Sequence, residues 1–324
     1  MKNTIVLNKN EELNLTEFKK GKVHRVHIKL SDNSLGVPWR IPVIIVRGAK
    51  AGPKLGITAA VHGDELNGLF TIFKLVDSID PKKMSGTLIL VPISNIPGYL
   101  MNQRYFSDNV DLNRIMPGNE IGKPSNIYAH FFTKKIIGKL DYLLDLHTAS
   151  QGRVNSLYIR ACLEDEQCKN LAYLQNPQII VNKDNEDGTL RAWANKLNIP
   201  SITIEIGNSG EFQHHLIDES LDGIMNTMIY LKMLEGKQKN YIKDTIICES
   251  SHWIYSKHGG IINVLPKLTD IVQKGEVIAR VYNVFGDVKE EITADRAGIV
   301  IGKNIKPNGD TGTRVLHLGV ISSE

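Results

Sequence analysis

Along the first 50 residues apolar and polar side chains alternate, as in KVHRVHIKL and RIPVIIVRG. That period of two predicts antiparallel β-strands. From about residue 55 to 235 the pattern changes: the short apolar runs LGITAAV, GTLILVPI, YLLDLH and SITIEIG are separated by helix-length segments. In DELNGLFTIFKLVDSID the apolar residues Leu66, Leu69, Phe70, Phe73 and Val76 recur at helical spacing. Such alternation predicts an α/β domain, a substantially parallel sheet flanked by helices. The polar stretch EGKQKNYIKD, residues 235 to 244, has no apolar face and predicts a boundary. Beyond it the helical period disappears, and glycines at 275, 286, 298 and 309 punctuate β-type runs such as EVIARVYNVF and AGIVIGKN. The expected organisation is an α/β domain over residues 1–240, opening with β-strands over 1–50, and a small all-β domain over 241–324.

Composition narrows the function classes. Lys and Arg number 39 against 35 Asp and Glu, a net charge of +4, with no basic stripe carrying interleaved aromatics. Nucleic acid is therefore not an expected partner. The longest apolar runs, IPVIIV and LILVPI, are strand-length and too short to span a bilayer, and MKNTIVLNKNEELN has too short an apolar core for a signal peptide. The cysteines, Cys162, Cys168 and Cys248, lack zinc-type pairing and point to structural thiols in a reducing cytoplasm.

Ligands of open α/β sheets collect beyond the carboxyl ends of the strands. Chemically competent residues stand at three such ends. His62 and Glu65 follow GITAAV, on the turn that opens a helix; His147 ends YLLDLH; Glu205 lies within SITIEIG. Two imidazoles and a carboxylate make the His₂Glu set of a catalytic zinc site, with a position left for a water whose pKa zinc lowers to about 7. Taken alone, the pair reads more readily as a helix N-terminus whose Asp64 and Glu65 complement the helix dipole. Strand period puts Asp145 on the face of His147, where it can orient the imidazole or act as a structural cap. Glu205 faces away from Ile202, Ile204 and Ile206; it fits a general base, or a buried partner for an arginine. In RYFSDNVDLNRIMPG, Arg114 after Asn113 can grip a carboxylate in two-pronged fashion, and Arg104 can polarise a carbonyl. Two arginines on a polar surface loop are the plainer alternative.

The motifs HGDELNG, DLNR, DLHT and TIEIG, in this order and at these separations, resemble the succinylglutamate desuccinylase/aspartoacylase family, a branch of the zinc carboxypeptidase-like hydrolases. The resemblance covers roughly residues 40 to 235. It implies one zinc ion held by His62, Glu65 and His147, Glu205 as general base, Asn113 and Arg114 on the substrate carboxylate, and Arg104 on the scissile carbonyl. The implied substrate is a small N-acylated amino acid. The segment TDIVQKGEVIARVYNVFGDVKEEITADRAGIVIG resembles a biotinyl/lipoyl-like barrel-sandwich domain. Its tip, NVFGDVKEE, offers no lysine at the modified position, Lys289 being offset, so no prosthetic group is expected there. The tail is expected to cover the mouth of the site or to build a homo-oligomer.

Two other functions compete with a deacylase: a zinc peptidase acting on short peptides, and an inactive homologue whose β tail serves as an interaction module. The complete set of His62, Glu65, His147 and Glu205 argues against the inactive reading.

Overall fold

The computed structural model describes residues 4–8, 11–240 and 244–321. Fourteen strands among them form one mixed sheet, thirteen in sequence across it and Arg153–Asn155 paired off that path with Gly298–Asn304. Its order runs Thr4–Leu7, Lys22–Asp32, Pro38–Arg47, Ser85–Val91, Lys50–Ala59, Tyr142–His147, Ser201–Ile206, Leu157–Ala161 and Ile179–Asn182, then continues into Ile246–Tyr255, Arg314–Ile321, Gly298–Asn304 and Ile271–Val272. The alternating N-terminal segments pair antiparallel, Lys22–Asp32 against Pro38–Arg47. The centre is parallel: Lys50–Ala59 lies between Ser85–Val91 and Tyr142–His147, and Tyr142–His147 lies beside Ser201–Ile206.

Apolar runs without alternation belong where both sheet faces are covered, and these strands are so covered. On one face Ile57, Leu144, Leu146, Ile202, Ile204 and Ile206 pack with Ile72, Leu75, Ile224 and Met228, carried by helices Asn67–Ser78 and His214–Tyr230. On the other, Leu143 packs with Ile28, Ile41, Tyr128 and Phe132, the last two from helix Pro124–Lys135. Each such fully buried side chain contributes roughly 1.5–3 kcal/mol relative to exposure. The flip from Leu143 to Leu144 is the strand period at work, and it places Asp145 and His147 on the side of Leu143.

Helix Asn67–Ser78 is where the sequence predicts it, but its buried face differs. Gly68, Leu69, Ile72 and Leu75 point inward, while Phe73 is 44% exposed. The inward face is set by a close approach to the sheet: a Cβ on Gly68 would stand 2.6 Å from Leu146 Cβ. Two apolar stripes run along this helix, and the tight strand-to-helix connection selects the one containing glycine.

The C-terminal strands form a second, four-stranded sheet, ordered Val288–Thr293, Val277–Tyr282, Gly260–Val264 and Asn308–Gly309, over a core that includes Ile262, Ile278, Val281, Val315 and Leu318. Positive φ at Gly275 (+86°) and Gly286 (+89°) makes their turns. Main-chain hydrogen bonding does not stop at the end of the α/β region. Strand Ile246–Tyr255 pairs parallel with Ile179–Asn182 and antiparallel with Arg314–Ile321, so the large sheet runs on into the C-terminal region. Of the predicted boundary at 235–244, residues 241–243 lie outside the described residues. Among the described residues no helix is long and apolar enough to cross a membrane.

Candidate active site

The strand Lys50–Ala59 ends in a residue with unusual backbone: Ala60 adopts φ +50°, a left-handed conformation that β-carbon crowding disfavours outside glycine. The main chain is held there by Ser94 and Asn95, whose N–H groups donate to the carbonyls of Ala59 and Ala60, both at 2.9 Å. The next residues turn under the Gly98–Tyr99 backbone so closely that a Cβ on Gly63 would stand 2.0 Å from the Gly98 carbonyl carbon. This compressed turn carries His62 and Glu65. Asn67, at the start of the helix, donates to the Ile206 carbonyl at 2.8 Å and so ties the turn to the end of the Glu205 strand.

His62, Glu65 and His147 are 4%, 1% and 4% exposed. Their potential donor atoms lie within 4.8 Å of one another. Each imidazole turns one nitrogen inward: His62 Nδ1 is 2.9 Å from Glu65 Oε1, and His147 Nδ1 is 2.9 Å from Glu65 Oε2. The other nitrogen is held from behind. Asp111 sits 3.1 Å from His62 Nε2, and Asp145 2.9 Å from His147 Nε2. The Thr58 hydroxyl orients Asp145 in turn, at 2.7 Å. Converging donors, with each imidazole braced by a carboxylate, fit a metal ion of the kind that accepts imidazole and carboxylate ligands.

The charges settle accordingly. Burial opposes ionisation of Glu65, but His62 and His147 outweigh it and hold its carboxyl well below the usual range. Burial likewise opposes charge on His147, yet Asp145 and Glu65 raise it well above the usual histidine value. Asp111 is held low against its burial by His62 and Arg104.

These residues open into a cavity of about 460 Å³ that Arg104, Asn113, Arg114 and Glu205 also line. Arg104 reaches the donor set itself, at 3.2 Å from Glu65 Oε1, and it pairs with Asp111 at 2.8 Å. Asn113 is buried, its amide nitrogen 3.3 Å from His147 Nε2 and its carbonyl oxygen accepting from the Leu190 N–H at 2.8 Å. Arg114 is exposed to the cavity; it donates to the main-chain carbonyl of Asn113, not the side-chain oxygen that Leu190 uses, at 2.6 Å and has no ion-pair partner among the described residues. Glu205 is 12% exposed and meets Arg160 at 3.4 Å. Glu205 thus lines the cavity and has an arginine neighbour.

Sequence reasoning left several lining residues unassigned. Asp111 stands inside the DLNR motif but was given no role, although it braces His62 and Arg104 together. Arg160 is drawn to Glu205 by antiparallel pairing, Thr203 opposite Arg160 and Glu205 opposite Tyr158. Trp253, Arg314 and His317 come from the C-terminal strands. The tail therefore supplies part of the cavity wall.

The sequence profile of the Succinylglutamate desuccinylase/Aspartoacylase catalytic domain matches residues 51–231, more than half of the chain, and the chain belongs to that family. It is 24% identical over 302 residues to the N-alpha-acetyl-L-2,4-diaminobutyric acid deacetylase of Halomonas elongata, covering 88% of this chain and 87% of that one. Its fold matches the product-bound Ectoine utilization protein EutE (DoeB) of Ruegeria pomeroyi, with TM-score 0.85 and 22% identity over 94% of this chain and 96% of that one. A succinylglutamate desuccinylase from Silicibacter sp. TM1040 matches with TM-score 0.83 and 23% identity, over the same shares of the two chains.

Proposed function

We propose that the chain is a zinc-dependent amidohydrolase that removes the acyl group from a small N-acyl amino acid. The observation that carries this reading is the convergence of His62, Glu65 and His147 at the floor of a cavity that also holds Glu205 and an Arg114 with no ion-pair partner among the described residues. The acetylated amino acid named for the Halomonas relative supports the substrate class. His62, Glu65 and His147 would hold the zinc ion, which when bound would supply Lewis acidity for the attack on the amide carbonyl.

The protein's own groups do the rest. Arg114 and Asn113 hold the substrate carboxylate, Arg114 supplying the charge and Asn113 carrying Arg114 on its main-chain carbonyl. Arg104, at the edge of the donor set, stabilises negative charge developing on the scissile carbonyl oxygen. Glu205 takes a proton from the attacking water and hands it to the departing nitrogen, so the amine leaves neutral. Arg160 limits where the Glu205 carboxylate can point. Asp145 and Asp111 hold the two imidazoles in the tautomer that presents a lone pair inward.

The test is a panel of N-acyl amino acids and dipeptides offered to the zinc-loaded and the chelated protein. Hydrolysis of N-acyl amino acids by the zinc-loaded protein alone is the expected result. Preferential cleavage of dipeptides would make it a peptidase, and no turnover of either would make it inactive.

A further inference from the structure

Strand Arg153–Asn155 belongs in sequence to the α/β region, yet its strand partner among the described residues is Gly298–Asn304 of the C-terminal region, with Asn155 opposite Gly302. The clamp extends past both ends of the strand. The Ser156 N–H donates to the Ile301 carbonyl at 3.0 Å, and the Ile305 N–H to the Gly152 carbonyl at 3.1 Å. Gly302 also stands where its strand shifts register against Arg314–Ile321, and such a bulge re-aims what lies beside it. A Cβ on Gly302 would stand 2.2 Å from Asn155 Oδ1 and 2.9 Å from the Val154 carbonyl oxygen. The Asn155 amide oxygen fills the space that this glycine leaves open.

Asn155 is 7% exposed and lines the cavity. With its oxygen at Gly302, its amide nitrogen lies 3.4 Å from Glu205 Oε2. The opposite amide orientation would set two acceptors against each other. The Asn155 main-chain N–H donates to Asn208 Oδ1 at 3.2 Å, which ties Asn155 to the turn just beyond Glu205. Arg160 Nε stands 3.4 Å from the other carboxylate oxygen, Oε1. Each oxygen of Glu205 therefore faces its own donor, and the two donors together fix the plane of the carboxylate. Both distances are long for hydrogen bonds, and contacts of catalytic groups often tighten only when substrate is bound. A neutral amide orients the carboxylate without the acidifying effect that a second cation would have on a base. We propose that Asn155, seated on Gly302, is a positioning residue for Glu205, so that the C-terminal strands aim the base as well as wall the cavity. This role rests on the hydrolase reading, in which Glu205 moves the proton.

The test uses Asn155→Ala, Asn155→Leu and Gly302→Ala, each alone and combined with Glu205→Gln. kcat, KM and zinc content are measured on whichever member of the substrate panel the zinc-loaded wild type hydrolyses fastest. Asn155→Leu keeps the buried volume where Asn155→Ala leaves a void, so a folded variant without the donor is at hand. Both Asn155 variants should lower kcat by about tenfold, the scale of one hydrogen bond to a charged group. KM and zinc content should stay near the wild-type values, because Asn155 touches neither the substrate carboxylate nor the donor set. Gly302→Ala pushes the amide from its seat and should lower kcat in the same direction. In the Glu205→Gln background the Asn155 substitutions should change kcat by less than about twofold, since no carboxylate is left to aim. An unchanged kcat in Asn155→Leu, an equal loss with and without Glu205, a rise in KM alone, or a loss of zinc each overturns the proposal. With an active wild type, those results remove this role and leave the hydrolase reading standing. A wild type that hydrolyses nothing in the panel removes both.

Discussion

Glu205 and His147 are register partners on adjacent parallel strands, side by side at the carboxyl end of the sheet. Neighbouring strands lie about 4.8 Å apart, so this pairing alone brings the Glu205 carboxylate to the rim of the donor set. Glu205 is not itself among the three converging donors. A carboxylate beside the donor set and outside it has the placement that the proposed general-base role requires.

Glu205→Gln keeps shape and removes the base. kcat should fall by ~10²–10⁴, the usual worth of general acid–base catalysis. Zinc content should stay near that of the wild type. Arg160 loses its anionic neighbour, but that pair is 3.4 Å apart and partly solvated, so the melting temperature should move little. A large drop in melting temperature with near-normal kcat would assign Glu205 to structure instead.

His147→Ala removes one of three donors and should abolish zinc retention through dialysis while the chain stays folded, read by elemental analysis and circular dichroism. Asp145→Asn is the finer probe. It leaves the ligands in place and weakens the brace on His147, so zinc affinity should fall by ~10–100-fold. Full zinc occupancy in His147→Ala would refute the ligand assignment.

Zinc uptake should release about one proton per chain near pH 7. His147, raised by Asp145 and Glu65, carries a proton there, and a ligand must shed its proton to bind. Zinc affinity should therefore weaken as pH falls through the raised His147 value. In the metal-free protein the sign is opposite. The stabilisation from charged His147 is fully present below its unfolded pKa of ~6.5 and is lost as pH rises through the folded value. Calorimetry in buffers of different ionisation enthalpy counts the released protons, and a count of zero would contradict the assignment.

Arg114→Lys retains charge and loses the planar two-pronged donor. KM should rise far more than kcat changes, because this contact is equal in ground and transition states. An unchanged KM, or full activity on a substrate with its carboxylate amidated, would rule the contact out.

Gly63→Ala tests the turn itself. The new methyl group would meet the Gly98 and Tyr99 backbone at 2.0 and 2.2 Å, with no flexible side chain to give way. Stability should fall by ~1–3 kcal/mol, the usual cost of overpacking, and zinc affinity should fall with it as His62 and Glu65 shift. Wild-type stability in urea, with wild-type zinc affinity, would show that the turn has room.

Much of this protein is legible in one dimension because the relevant physics is local. Strand period assigned Asp145 and His147 to one face and turned Glu205 away from three isoleucines; both follow from backbone geometry that neighbours do not alter. The apolar runs gave the α/β order, since a run with no polar position needs cover on both sides. What lay beyond reach depended on partners far along the chain. The buried stripe of helix Asn67–Ser78 was chosen by contact between Gly68 and Leu146. Asp111 acquired its role when a loop folded it against His62, 49 residues away. Arg160 met Glu205 through antiparallel pairing that no local pattern announces. Trp253, Arg314 and His317 read in sequence as ordinary β-strand residues. They became a cavity wall because strand Ile246–Tyr255 adds to the large sheet beside Ile179–Asn182. Strand addition is governed by main-chain hydrogen bonds, which every residue but proline offers alike, so only the folded sheet could reveal which side chains the C-terminal strands bring to the site.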